Sequence, residues 1–187
     1  MKSEKGNLIC LCTAAMHIAA AAVLILKLFE TAKYNFYLIS CMVVLGGLLS
    51  VAAFLSKSRS RFRPGWLLPQ GLSGILVGAM MLSALFIGKY DFKFILLFSL
   101  PCIAIITSIL HMSASFQIKC LGFPRWWILL LFGMADLIFG VSVYFYFLSG
   151  NFNVYTGFGM FFMLLALQYM AETVTYKISI NREDSEI

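Results

Sequence analysis

Hydrophobic positions follow one another in long runs along this chain, and polar positions are concentrated in short intervals between the runs. A helix needs about 20 apolar residues to cross the hydrocarbon core of a bilayer. Six runs approach or exceed that length: 8–29, 36–55, 66–88, 92–115, 126–148 and 154–176. The pattern predicts an all-α integral membrane protein, a single membrane domain over 1–187 with six transmembrane helices and a polar tail at 177–187.

The turns after the first, third and fifth runs are tight, whereas the connections after the second and fourth runs are longer and basic. This alternation predicts three helical hairpins, over 8–55, 66–115 and 126–176. Two odd-numbered runs also share a proline and tryptophan start and a ladder of small residues at i, i+3 and i+7, a spacing that places them on one helix face. The ladder residues are Gly71, Gly74 and Gly78 in one run, and Gly133, Asp136 and Gly140 in the other. A glycine face lets another helix approach closely, so we expect these glycines to pack helices together.

Basic residues are unequally divided between the two ends of the predicted helices. Of the 14 lysines and arginines, ten lie in the tails and the longer connections, and four lie at the tight turns. Because cytoplasmic loops carry the excess of lysine and arginine, both termini are predicted to be cytoplasmic. The net charge of +6, including the basic connection at 57–63, is therefore a topology signal, and no nucleic-acid partner is predicted.

Composition excludes several functional classes. The 187 residues are 61% apolar and 12% charged, and their mean hydropathy of +0.93 lies outside the range of soluble globular domains. Six apolar runs occupy most of this length, so the remaining segments are too short for a soluble catalytic domain. The chain has no H-E-x-x-H, no G-x-S-x-G and no phosphate-binding loop, so neither an enzyme nor a cofactor is predicted. Its five cysteines lie in or beside the runs and are expected to be packing residues, with no metal site.

The small-residue ladders also resemble a known family. The matching residues are Trp66, Leu67, Leu68, Gly71 and Gly78 in the third run, and Trp127, Leu129, Leu130, Gly133 and Gly140 in the fifth. This pattern resembles the HdeD family of six-helix bacterial membrane proteins over most of the chain from residue 36 onward. It departs from the family in the last run and in the first, where His17 stands at a position expected to be glycine. The resemblance implies a multi-pass protein of the bacterial inner membrane with a non-enzymatic role in acid or envelope stress tolerance.

Two strongly polar residues fall near the middle of the predicted spans. Asp136 is nine residues after Trp127, and His17 is ten residues after Asn7, which is roughly 14–15 Å along a helix. If the hairpins surround a pseudo-threefold axis, then the ladder Ala14, His17, Ala21 of the first run aligns with the other two, and His17, Gly74 and Asp136 face one another. On insertion scales, an aspartate at a helix centre costs about 2.5–3.5 kcal/mol. Because of this cost, a strongly polar residue at such a depth is a candidate for a functional site.

Two interpretations of the His17/Asp136 pair follow. The simpler one is structural: Asp136 joins helices through hydrogen bonds to His17 or to a backbone carbonyl, at about 1 kcal/mol. The alternative is a protonatable site in a small proton-linked transporter or channel. A third hypothesis is an assembly protein whose glycine faces bind a second copy or a membrane-protein partner. The lipid bilayer surrounds the protein in each case, and the small-molecule ligand is left open.

His111 and Glu172 lie toward the predicted cytoplasmic ends of the fourth and sixth runs. The simpler interpretation makes them partly solvated residues at helix ends. The alternative is the cytoplasmic mouth of a polar pathway. Its neighbours would then be Ser108, Ser115 and Gln168.

Overall fold

The computed structural model contains six α-helices and no strand in the part of the chain that it describes. The backbone is described for residues 2–26, 32–56, 64–87, 92–120, 122, 125–148 and 153–185, and side chains for 7–26, 33–56, 64–84, 94–120, 122, 125–146 and 153–174. The helices are α1 Lys2–Ile25, α2 Ala32–Ser56, α3 Leu67–Ile87, α4 Phe92–Cys120, α5 Trp126–Leu148 and α6 Val154–Ser185. Each contains a segment long and apolar enough to cross a membrane. The all-α prediction with six spanning helices is confirmed, and the chain has the organisation of a multi-pass membrane protein.

Local sequence explains where several helices begin and end. Asn153 precedes α6, and its side-chain Oδ1 accepts hydrogen bonds from the backbone amides of Tyr155 at 3.1 Å and Thr156 at 3.4 Å, as an N-cap does. Beyond α4, Gly122 adopts a positive φ of 79°, a conformation that glycine adopts without steric cost. Lys119 also places its ammonium 4.5 Å from the centre of the Trp126 ring, which joins the end of α4 to the start of α5.

Four helices extend beyond the predicted spans. α1 begins at Lys2 instead of residue 8, and α2 begins at Ala32 instead of residue 36. α4 continues to Cys120 instead of ending at 115, and α6 continues to Ser185, through most of the tail at 177–187. His111 therefore lies nine residues inside α4. The basic connection at 57–63 and the turns at 27–31, 88–91 and 149–152 lie outside the described residues, as do the side chains of Lys177 and Arg182.

The six helices form a closed ring in chain order. The most extensive contacts join α2 with α3, α4 with α5, and α1 with α6; smaller ones join α1 with α2, α3 with α4, and α5 with α6. Within the second predicted hairpin α3 contacts α4, and within the third α5 contacts α6. Each of these four helices nevertheless packs more extensively against its other neighbour in the ring.

The glycine ladders explain these close pairs. A Cβ on Gly71 would lie 2.7 Å from the carbonyl oxygen of Gly47 in α2, and a Cβ on Gly133 would lie 3.0 Å from the backbone nitrogen of Met112 in α4. Such approaches require glycine, because a methyl group would displace the opposite backbone. The other ladder glycines meet the same two helices: Gly74 and Gly78 meet α2, and Gly140 meets α4. The ladder faces are thus occupied within the chain, which removes the observation that favoured their use in a homo-oligomer.

Candidate functional site

Asp136 occupies the middle of α5, on the face that packs against α4. Its side chain is 0% exposed, because the glycines one turn before and one turn after it bring α4 close. Its Oδ2 accepts a hydrogen bond of 2.7 Å from Nε2 of Gln168 in α6. This bond to an ionisable acceptor stabilises the carboxylate inside the bundle.

His111 of α4 lies between two carboxylates. Its Nδ1 is 3.4 Å from Oδ2 of Asp136, and its Nε2 is 3.5 Å from Oε1 of Glu172 in α6. Both distances are within ion-pair range but longer than the 2.7–3.2 Å of a well-formed N–H···O hydrogen bond. One imidazole thus joins two carboxylates through its two nitrogens, and we call Asp136, His111 and Glu172, with Gln168, the acid cluster.

The interpretation of His111 and Glu172 as partly solvated helix-end residues is wrong. His111 is 0% and Glu172 5% exposed. The physical reason is that α4 continues beyond His111 to Cys120, so that α5 and α6 enclose its side chain. Glu172 is also covered by Trp66, whose indole Nε1 donates a hydrogen bond of 2.9 Å to Oε1 of Glu172.

Several oxygens in and beside the acid cluster have no hydrogen-bond partner among the described residues. They are Oδ1 of Asp136, Oε2 of Glu172, Oε1 of Gln168 and the hydroxyl of Ser108, all buried. An unpaired buried polar group costs about 1–3 kcal/mol. Buried atoms of this kind concentrate where a protein binds protons, water or ions.

The chemistry open to the acid cluster is limited by its geometry. Among the described residues no group of three or more histidine, cysteine, aspartate or glutamate side chains is placed to hold a metal ion. The His111 ring separates the two carboxylates, and only its opposite edges face them. The chemistry that this geometry allows is hydrogen bonding and proton exchange between the two ring nitrogens of His111 and the carboxylate oxygens that face them.

His17 and Asp136 have different partners in the structure. Nδ1 of His17 is 2.7 Å from the carbonyl oxygen of Thr13, one turn earlier in α1. The His17 ring contacts Phe162 and Tyr169 of α6, with ring centroids 5.4 and 5.6 Å apart. Asp136 is paired with His111 and Gln168 instead. The reason is the ring order: α6 packs against both α1 and α5 and lies between them.

Part of the predicted convergence is nevertheless present. His17 and Gly74 line one cavity of about 40 Å³ at the centre of the ring, together with Ser50, Gln70 and Tyr169. Asp136 is not among the residues that line this cavity. The structure therefore separates the two mid-helix polar residues into two sites, the central cavity and the acid cluster, on neighbouring faces of α6.

Several participants in these sites were not predicted from the sequence. They are Trp66 beside the acid cluster, and Ser50, Gln70, Ser73, Thr107 and Tyr169 at the central cavity. One feature of the sequence does indicate a polar site on α6. Gln168 and Glu172 are spaced i, i+4, so they lie on the same face of the helix within a mainly apolar run.

Comparisons with models of known protein families, with curated proteins and with solved structures found no match to this chain. Function is therefore inferred from the two buried polar sites and their geometry.

Proposed function

We propose that the protein is a non-enzymatic, multi-pass protein of the bacterial inner membrane that binds and transfers protons through the acid cluster. The observation that carries this proposal is the position of His111, with one ring nitrogen 3.4 Å from Asp136 and the other 3.5 Å from Glu172. Ionisable groups inside a transmembrane bundle are rare and commonly serve proton pathways. This replaces the His17/Asp136 pair of the sequence-based hypothesis with an Asp136–His111–Glu172 chain.

The three groups are arranged from the membrane interface inward. Glu172 contacts Trp66, which directly precedes α3. Asp136 lies ten residues into α5, or roughly 15 Å from its start at about 1.5 Å per residue. That distance is about half of a hydrocarbon core of about 30 Å. With both termini in the cytoplasm, Glu172 forms the cytoplasmic mouth of the path and Asp136 its inner end.

A proton moves along this chain by exchange at the two nitrogens of His111. Protonated Glu172 transfers its proton to Nε2 of a neutral ring that carries hydrogen on Nδ1, and the imidazolium then releases the Nδ1 proton to Asp136. The net result is transfer of one proton from Glu172 to Asp136 and a change of imidazole tautomer. Each contact has to shorten by a few tenths of an ångström for transfer, since the distances exceed those of strong hydrogen bonds.

A role in acid or envelope stress tolerance suits such a protein. The resemblance of its glycine ladders to the HdeD family supplies this physiological setting, and the acid cluster supplies a group that responds to proton concentration. A cell that depends on the protein at low pH would lose survival on Asp136→Asn while keeping normal protein abundance.

Purified protein in liposomes that contain a pH-sensitive dye tests proton transfer. With a potassium diffusion potential across the membrane, we expect acidification in wild-type vesicles and the rate of protein-free liposomes in Asp136→Asn and His111→Gln vesicles. Ser99→Ala is the matched control, because Ser99 lies in α4 outside the acid cluster and only donates a hydrogen bond to the Ile95 carbonyl. Wild-type vesicles no faster than empty ones would overturn transfer across the membrane.

Infrared difference spectra between two pH values test proton binding separately. A buried carboxyl that takes up a proton produces a carboxylic-acid C=O stretching band, and we expect this band to be lost in Asp136→Asn. If the wild-type spectra contain no such band, the acid cluster does not bind protons and the proposal fails at its first step.

A further inference from the structure

The central cavity is a second polar site, separate from the acid cluster. Its polar lining comes from five helices, and all of these residues are uncharged or are the imidazole of His17. They are His17 of α1, Ser50 of α2, Gln70 and Ser73 of α3, Thr107 of α4 and Tyr169 of α6. Among the residues that the structure describes, no lysine, arginine, aspartate or glutamate lines the cavity, so its lining favours a neutral occupant.

The hydrogen bond of His17 determines which of its nitrogens can accept. Nδ1 is 2.7 Å from the Thr13 carbonyl oxygen, and because a carbonyl oxygen only accepts, Nδ1 must carry the hydrogen. In the neutral ring Nε2 is then an acceptor. The edge that carries Nε2 faces Gly46, since a Cβ on Gly46 would lie 3.0 Å from that nitrogen, and both residues line the cavity. The cavity thus contains an acceptor that calls for a donor.

Gln70 supplies an unpaired polar group to the lining of the cavity. Its Nε2 donates to the Tyr169 hydroxyl at 3.4 Å, while its Oε1 is buried and has no hydrogen-bond partner in the described part of the chain. Gln70 is only 6% exposed. The Tyr169 hydroxyl gives its one hydrogen to Ser50, so the amide nitrogen of Gln70 must face Tyr169. Oε1 of Gln70 therefore needs a donor.

We propose that the central cavity binds water, held between Nε2 of His17 and the amide of Gln70. Water is neutral and has two hydrogens to donate, so it suits two acceptors, Nε2 of His17 and Oε1 of Gln70. The volume agrees: the cavity measures about 40 Å³, and a water molecule needs roughly 10–15 Å³, so at least one molecule fits. This proposal does not depend on proton transfer at the acid cluster.

Proton-detected solid-state NMR of the full chain in deuterated lipids tests the site, with water as the probe. The chain contains only two histidines, so selective 15N-histidine labelling yields two sets of ring signals, and His111→Gln assigns them. For His17 we expect a protonated Nδ1, an unprotonated Nε2 and a polarisation-transfer cross peak from water. A wild-type spectrum without that cross peak, or with the proton of His17 on Nε2, overturns the proposal.

A variant then tests whether Gln70 holds the water. Gln70→Leu removes both polar groups of the amide at similar size, and we expect the cross peak between water and His17 to be lost. Ser83→Ala is the control, because the Ser83 hydroxyl is on α3 but exposed and bonded to the Met80 carbonyl. Persistence of the cross peak in Gln70→Leu would overturn the assignment of Gln70. If that variant does not fold, the wild-type spectrum alone still decides whether water reaches His17.

Discussion

The Ser50 and Tyr169 hydroxyls lie 2.6 Å apart in the centre of the helix ring. The single hydrogen of Ser50 is directed to the carbonyl oxygen of Gly46 at 2.9 Å, so Tyr169 must donate to Ser50. Tyr169 in turn accepts from Gln70. A directional chain of hydrogen bonds therefore runs from α3 through α6 to α2 and links α6 to two helices that are distant from it in sequence.

We expect Ser50→Ala to lower the free energy of unfolding in detergent by about 1–3 kcal/mol, because it leaves the Tyr169 hydroxyl without its acceptor. Ser50→Ala combined with Tyr169→Phe should destabilise by less than the sum of the two single changes, with a coupling of about 0.6–1.7 kcal/mol. Exposed Ser83→Ala should change stability by less than about 0.5 kcal/mol. Strictly additive effects would contradict a direct bond between Ser50 and Tyr169.

The important mid-helix residues were easier to predict from the sequence than their partners were. Asp136 and His17 were selected because polar groups are unfavourable in an apolar run, and both are buried, at 0% and 2% exposure. The side chains that contact them, however, come from other helices. Hydropathy contains no information about which side chain of a neighbouring helix will meet a given one.

The pairs of closely packed helices depend on backbone contact at glycine. Gly47 and Gly71 oppose each other between α2 and α3: a Cβ on Gly47 would be 2.6 Å from the Gly71 carbonyl oxygen and 2.8 Å from the backbone nitrogen of Ile75. No rotamer change can relieve a clash with backbone atoms. α2 and α3 would have to separate instead.

We expect Gly71→Ala to destabilise the protein by about 1–3 kcal/mol, even though alanine favours a helix by up to about 1 kcal/mol over glycine. Gly65→Ala is the comparison, because no heavy atom lies within 4 Å of the Cβ position there, and its effect should be near zero. Thermal unfolding of both variants in the same detergent measures the difference. Equal melting temperatures for Gly71→Ala and wild type would contradict the close contact of α2 with α3.

The ladder spacing predicted which glycines face a neighbouring helix, but the hairpin pattern indicated a different main partner. Tight turns bring α3 near α4 and α5 near α6, yet the ladder faces of α3 and α5 turn toward α2 and α4. The reason is physical: glycine permits a backbone approach that larger residues prevent, so packing is most extensive where the glycines are and not where the turn is shortest.

Orientation in the membrane is a property of the whole molecule that cysteine labelling can test. Cys120 is exposed at the last residue of α4, whereas Cys41 is exposed in the middle of the apolar helix α2. With both termini cytoplasmic, a membrane-impermeant maleimide should label a variant whose only cysteine is Cys120 in inverted vesicles and not in right-side-out ones, because the thiol must reach water to react.

A variant whose only cysteine is Cys41 serves as the matched control and should remain unlabelled in both preparations, since its thiol faces lipid. Labelling of Cys120 only from the outside of right-side-out vesicles would show that the orientation is the reverse of the predicted one. It would also place Glu172 at the opposite side of the membrane from the one proposed here.

The sequence alone determined the number, type and approximate ends of the helices, because six runs of apolar residues have no alternative in a bilayer other than helices that satisfy their own backbone hydrogen bonds. It also identified Asp136 and His17 as strongly polar residues near the middle of apolar runs. Only the tertiary structure decided which polar side chains lie together. Asp136 lies with His111, Glu172 and Gln168 in the acid cluster, and His17 lines the central cavity. Each grouping joins side chains from several helices, and ring order and helix rotation are consequences of packing between all six helices at once.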